Sequence, residues 1–388
     1  MSKIVYDPNC NKIPKLPTIL PEADRIIAIG DVHGDMKLVI DSLIIARVII
    51  PTQTKTNSIS AKLDNKMYYY QWSGGRTIVV QIGDQNDSCR PIDGKCDHIE
   101  DDKDDDISIF MFFTMLHSLA LKVGGGVYSL IGNHELMNIK GDLRYVSNEN
   151  INKFTKYKDP FTKEVLNGTA EENFKHAFLN GNEYANLIGC TRQSVLIIGD
   201  FLFIHAGINK EFLNKFRGRD ELQDLNELVK NWIVTKLTEF KSDPRMEMIL
   251  NDANNSPFWM RVLGQLPANL PENNNDCRTL INPIIEAYKI KGMVIGHTPQ
   301  INMENGANKN ELVNGINGTC GNKLFRIDVG ASKAFLERER REPQVLEIER
   351  MRDGTYKYKV IFQEEDVYES IVPDDITSFG RMESRLPN

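Results

Sequence analysis

The chain has 388 residues, 41% of them hydrophobic and 26% charged, with a formal net charge of −7. That is enough for a sizeable core and argues against a mostly disordered chain, while the acidic balance excludes a global basic field for nucleic acid or anionic membrane. No apolar run approaches the roughly 18 residues of a membrane span, and the opening "MSKIVYDPNCNKIPKLPTIL" lacks the apolar core of a secretory leader.

Residues 1–22 read as an N-terminal arm. "RIIAIGDVHGD" predicts a buried strand that stops at Gly30, with Asp31 next, and "MKLVIDSLIIARVI" (36–49) has the spacing of a helix packed on a sheet. The polar, turn-rich segment 51–76 reads as an inserted loop or hairpin. "TIVVQIGDQND" repeats the first unit, with Gly83 then Asp84. A second insert spans 90–106, and its acidic run "DHIEDDKDDD" (97–106) reads as a solvated loop. A helix over 107–124 leads into "GVYSLIGNHE", with Gly132 then Asn133. Stretches within 145–290 read as a largely helical cap. "GDFLFIHAGI" places His205 directly after an apolar run, and "GMVIGHTPQ" gives Gly296 then His297. Finally, "QVLEIERMRDGTYKYKVIF" alternates about Asp353-Gly354, as a β-hairpin does. Residues 336–388 are therefore a hairpin and tail, and 23–335 is the domain that carries the site.

The recurring unit is a short apolar run, a glycine and a ligand-type residue. Strands buried on both faces read as such runs, and open α/β sheets place their chemistry just beyond strand carboxyl ends. Five loops thus converge on one edge as one site. Two divalent metals need hard carboxylate and amide oxygens plus imidazoles, and the loops offer Asp31, His33, Asp84, Asn133, His205 and His297. Of seven histidines, His33, His134, His205 and His297 occupy these loops. His98, His117 and His176 read as structural or surface residues. The six cysteines are dispersed, with no CxxC pair. They read as reduced thiols, so the expected address is cytoplasmic or nuclear, not secreted.

"GDVHGD" (30–35), "GDQND" (83–87), "GNHE" (132–135), "HAG" (205–207) and "GHTP" (296–299) resemble the ordered motifs of the calcineurin-like metallophosphoesterases, in particular the phosphoprotein phosphatase branch. "MNIKGDLRYVS", "SPFWMR" and "RIDVGAS" are most similar to the bacterial-type, Shewanella-like phosphatases. The resemblance implies an α/β fold, a two-sheet β-sandwich flanked by helices in four layers, over roughly residues 25–335. It implies a metal-dependent phosphomonoesterase acting on phosphorylated protein (Ser/Thr or Tyr) or a small phosphoester, with two divalent ions (Mn, Fe or Zn) and no membrane or nucleic-acid partner. Asp31 and His33 would bind the first metal, Asp84 would bridge, and Asn133, His205 and His297 would complete the second. A bridging hydroxide would attack phosphorus in line, with His134 as general acid and Asp87 holding its ring.

The match departs at the phosphate clamp. Where the family has arginine after the aspartate of this loop, this chain has Ser88. Arg261 matches a phosphate-binding position of the subfamily, and Arg144 and Arg90 are further candidates. The alternatives are another phosphoester hydrolase of the same fold, such as a dinucleoside polyphosphate hydrolase, and a metal-binding scaffold without catalysis, which Ser88 prompts. No GxxxxGK[ST] or GxSxG motif occurs, and "HELMN" has Asn138 where a zinc-protease motif needs its second His.

Overall fold

A computed structural model describes residues 10, 13–63, 65–96, 105–300, 315–335 and 342–362, with the backbone of 367–370. All five apolar runs form strands: Arg25–Ile29, Ile78–Gln81, Gly126–Leu130, Phe201–Ile204 and Gly292–Ile295. They divide between two sheets. The first three are parallel neighbours in a seven-stranded sheet, ordered Val367–Ser370, Tyr356–Ile361, Val345–Arg350, Arg25–Ile29, Ile78–Gln81, Gly126–Leu130, Arg192–Gln193. The other two are parallel neighbours in a six-stranded sheet, ordered Ile19–Leu20, Val195–Ile198, Phe201–Ile204, Gly292–Ile295, Leu324–Arg326, Asn317–Thr319.

Alternation along each strand builds the layers. Ile26, Ala28, Val80, Tyr128 and Leu130 pack with Leu196, Phe201, Phe203, Val294 and Phe325 between the sheets. Their neighbours Ile27, Ile29, Val79 and Val127 face the helices Met36–Ile45 and Asp106–Leu121. On the far side, Ile197, Leu202, Ile204, Met293 and Ile295 lie under helices drawn from 148–288. The result is a mixed α/β fold, two sheets flanked by helices. A one-residue slip in any of these strands would exchange its two apolar faces, so the register is strongly specified. The C-terminal hairpin turns at Gly354 (φ 85°), and Val345–Arg350 pairs antiparallel with Arg25–Ile29.

Four expectations are corrected. The helix read over 36–49 ends at Ile45, because Arg47 adopts a left-handed backbone (φ 57°) and a strand begins at Ile49. The segment read as a loop or hairpin at 51–76 is part of a three-stranded sheet: Ile49–Thr52, Lys66–Trp72 and Ile59–Leu63. Its inward residues Ile59, Ala61 and Tyr70 pack with the helix Asp106–Leu121, and a lone hairpin would leave that apolar face half covered. Of the acidic run, 97–104 lies outside the described residues, as does His98, but Asp106 opens a helix and is only 2% exposed. The cysteines are not thiols. They pair as Cys10–Cys190, Cys89–Cys96 and Cys277–Cys320, at separations of 180, 7 and 43 residues that no sequence spacing advertises. The expectation of a reducing compartment loses the support that free thiols lent it. Among the described residues, no helix is long and apolar enough to cross a membrane.

Candidate functional site

The carboxyl-end loops of the two face-to-face sheets meet at one end of the sandwich. In the seven-stranded sheet the first two loops are zipped together: the backbone N–H groups of Val32 and His33 both donate to Asp84 O at 3.1 and 3.0 Å, and Gly34 N donates to Gln85 O at 2.9 Å. The third loop is held by Glu135, whose carboxylate accepts from Gly132 N (2.7 Å), Asp84 N (3.1 Å) and Gln85 N (2.6 Å). Gly132 permits this approach, since a Cβ there would lie 2.1 Å from Asp84 Oδ1. Across the sheets, His297 N donates to Asp31 Oδ2 at 3.0 Å. His33, Asp84, Asp87 and His297 all have φ between 39° and 71°. For non-glycine residues this backbone costs energy and persists only where the surroundings fix it, a pattern that clusters at functional sites.

Three of the imidazoles are oriented by backbone carbonyls. Carbonyl oxygens only accept, so the ring nitrogen facing one carries the proton. His205 Nδ1 donates to Ile82 O at 3.0 Å, His33 Nδ1 to Asn86 O at 3.3 Å, and His297 Nε2 to Trp259 O at 3.0 Å. Their other nitrogens turn inward. His205 Nε2 lies 3.0 Å from Asn133 Oδ1 and 3.4 Å from Asp84 Oδ2, and His33 Nε2 lies 4.0 Å from Asp31 Oδ2 and 3.9 Å from Asp84 Oδ2. Acceptor atoms converge here in a buried space, and two overlapping sets could hold a metal: His33, Asp84 and His134, and Asp84, His205 and His297. Asp31 Oδ1 is buried with no hydrogen-bond partner among the described residues, as a carboxylate oxygen reserved for a cation would be.

The electrostatics agree. Burial acts to raise Asp84, but the facing His205 and His134 outweigh it and hold this carboxyl well below the ordinary range. Burial would lower His205, yet the Asp84 charge raises it, so a proton is drawn to the place where the acceptors converge. Burial, then the charges of Asp328 and Asp84, push Asp31 well up; burial, then Arg90, push His33 well down.

His134, a member of the first set, also has its Nδ1 2.7 Å from Asp87 Oδ2, and its backbone N donates to Asp84 Oδ1 at 3.0 Å. The amides of Asn138 and Asn86 donate to Asp87 Oδ1 at 3.0 and 3.1 Å, so that carboxylate has no freedom to turn.

The three candidate arginines are placed unequally. Arg90 Nη1 donates to Asp87 O (3.1 Å) and Cys89 O (2.8 Å), and its guanidinium lies 4.4 Å from the Phe335 ring and 5.5 Å from that of Tyr145. Those rings stand 5.2 Å from His33 and 5.0 Å from His134 respectively, so Arg90 is lodged at the mouth. Arg261 Nη1 reaches His297 O at 3.1 Å from the rim. Arg144 turns away, into a two-pronged pair with Asp142 (2.9 and 2.7 Å) on the surface. Ser88 is 3% exposed and points under the loops, beside Gly34. Of the histidines set aside, His117 accepts from Val127 N and His176 pairs with Asp159, both away from this cluster.

Three residues were missed. Glu135 was passed over inside "GNHE", although it ties two loops together. Asp328, in "RIDVGAS", is buried beneath the site and pushed up to about 6 by burial and by Asp84. Asp106 was dismissed with the acidic run. An acceptor for backbone N–H groups has no spacing of its own, and only the glycine-rich context of Glu135 and Asp328 could have flagged them.

No protein-family model matches the chain. Uncharacterized protein R398 of Acanthamoeba polyphaga mimivirus is 37% identical over 249 residues, 61% of this chain and 94% of that protein. Shewanella-like protein phosphatase 2 of Arabidopsis thaliana is 27% identical over 94% of this chain and 85% of its own length. The chain is thus related to the Shewanella-like phosphatases. Its fold is shared with a cold-active protein-tyrosine phosphatase of a psychrophilic Shewanella, which superposes with a TM-score of 0.62 at 18% identity, over 92% of this chain and 82% of that one.

Proposed function

We propose that the chain is a metal-dependent phosphomonoesterase that removes phosphate from phosphorylated protein. The observation that carries this reading is the convergence of His205 Nε2 on Asn133 and Asp84 oxygens, 3.0 and 3.4 Å away, next to a His134–Asp87 pair at 2.7 Å. Asp31 and His33 would hold one ion, Asn133, His205 and His297 a second, and Asp84 both. When bound, two such ions supply Lewis acidity and water of lowered pKa, whichever of Mn, Fe or Zn occupies the site. The chain's own residues do the rest. Asp87 fixes His134 with Nδ1–H toward the carboxylate, leaving Nε2 to hand a proton to the leaving oxygen as its bond to phosphorus breaks and the water oxygen bonds in its place. Arg90 takes the clamp that Ser88 cannot supply. Both of its bonds run through Nη1, and among the described residues neither Nε nor Nη2 has a partner. Its relationship to proteins named Shewanella-like protein phosphatase supports the same class.

The test is turnover of p-nitrophenyl phosphate with added Mn²⁺ by the wild type and Asp84→Asn, followed by phosphoserine and phosphotyrosine peptides. The wild type should turn over, and Asp84→Asn should lose about a thousandfold or more. An inert wild type that still binds the metal would favour the scaffold alternative.

A further inference from the structure

Asp106 stands outside the reaction as drawn, yet its surroundings are those of the acid pair. It is the first residue of the helix Asp106–Leu121 and 2% exposed. Its Oδ2 accepts from Asp87 N at 3.2 Å. Asp87 is left-handed at φ 71°, so its N–H is turned from its usual direction and has to find an acceptor there. The other oxygen, Oδ1, lies 2.5 Å from where a Cβ on Gly34 would stand; Ser88 Cβ is 3.0 Å from the same point. Ser88 Oγ and Asp106 Oδ1 are both buried without a hydrogen-bond partner among the described residues. A buried carboxyl group held this way costs the fold unless the geometry it secures is needed. Asn86 and Asn138 hold the Asp87 carboxylate from the side-chain end, Arg90 holds its carbonyl, and Asp106 holds its N–H.

We propose that Asp106 is a positioning residue for proton donation by His134: by capturing the N–H of Asp87 it locks that residue in the left-handed turn that aims its carboxylate at His134 Nδ1. Without it the Asp87 peptide relaxes, Oδ2 withdraws, and the imidazole loses the partner that sets its tautomer. This inference rests on the phosphomonoesterase reading, through the role given to His134.

Loss of a general acid falls hardest on poor leaving groups, so the readout is a ratio of kcat/KM values. p-Nitrophenol is a strong acid among phenols, whereas phenol itself, like tyrosine, has a pKa of about 10. Asp106→Ala should raise the p-nitrophenyl to phenyl phosphate ratio by about tenfold or more, toward that of His134→Ala. Asp106→Asn keeps an acceptor for Asp87 N and should hold the ratio within about threefold of wild type. If Asp106→Ala does not fold, Asp106→Ser replaces it, since serine suits a helix start but is too short to reach Asp87 N. In parallel, NMR of the ¹⁵N-histidine full chain with Zn²⁺ follows the Nδ1 proton of His134, which should shift or vanish in Asp106→Ala and persist in Asp106→Asn. An unchanged ratio together with an unchanged Nδ1 proton would overturn the inference, even if the variant melts lower. If the wild type hydrolyses neither ester, the enzyme reading fails, and the Nδ1 signal alone decides the role of Asp106.

Discussion

Asp31, His33, Asp84, Asn133, His205 and His297, the floor of the site, are at most 5% exposed and sit just beyond strand ends. The rim (Arg90, Arg144, Tyr145, Arg261 and Phe335) comes from irregular chain or a short helical turn, and runs from half-buried to open. Every floor imidazole has one nitrogen tied to a backbone carbonyl, so its aim is set by the same hydrogen-bonded framework that sets the sheet. Rim residues are aimed by whatever side chain lies next to them: rings for Arg90, a carboxylate for Arg144. The floor can therefore keep its arrangement while the rim varies.

The sharpest way to break the comparison is at the rim's best-held residue. Arg90→Ala should cost about 1.5–3 kcal/mol of transition-state binding, some ten- to a hundredfold in kcat/KM, well short of the loss at Asp84. Arg144→Ala, which disrupts only an exposed pair, should stay within about threefold. Parallel assays on p-nitrophenyl phosphate check both, and an Arg144 effect as large as that of Arg90 would mean that the rim closes differently over substrate.

A smaller effect sharpens the floor. Asp328 is pushed up to about 6, against about 3.9 in an unfolded chain. The folded metal-free protein therefore holds a proton that the unfolded chain releases between about pH 4 and 6, and stability falls as pH rises through that window. Asp328→Asn cannot ionise. In chelator-treated protein it should be more stable than wild type above pH 6, by at most about 3 kcal/mol, and no more stable near pH 4. Urea melts at the two pH values test the sign, and a variant that is weaker at both would show that the carboxylate earns its place without metal.

The same division governs what could be read before the fold was known. Strand, glycine, ligand is a local pattern, so the placement of all six floor residues beyond strand ends was legible, while Asp87 and its pairing with His134 were indicated only by the family resemblance. That the delivering strands belong to two sheets was not legible from the runs, since Phe201–Ile204 and Arg25–Ile29 are equally apolar and buried. The burial of Asp106 was hidden by its setting, because seven of the ten residues in "DHIEDDKDDD" are acidic and only contact with Asp87 separates the last from the rest. The disulfides join residues whose proximity exists only after folding, and Arg90 reaches the mouth only because its loop curls back from Cys89 toward Phe335.

The floor also straddles a seam. Asp31, His33, Asp84 and Asn133 belong to loops of one sheet, and His205 and His297 to loops of the other, so an ion held by Asp84, His205 and His297 would grip both halves of the sandwich at once. An unfolded chain has no such grip to offer, and by mass action an ion at a hundred times its dissociation constant adds about 2.7 kcal/mol to the folded state. Titrating Mn²⁺ or Zn²⁺ into chelator-treated protein should therefore raise the melting temperature of the whole molecule, and Asp84→Asn should flatten that rise. Calorimetry would then rank the metals by how firmly each one sews the sheets together, with no substrate in the cell.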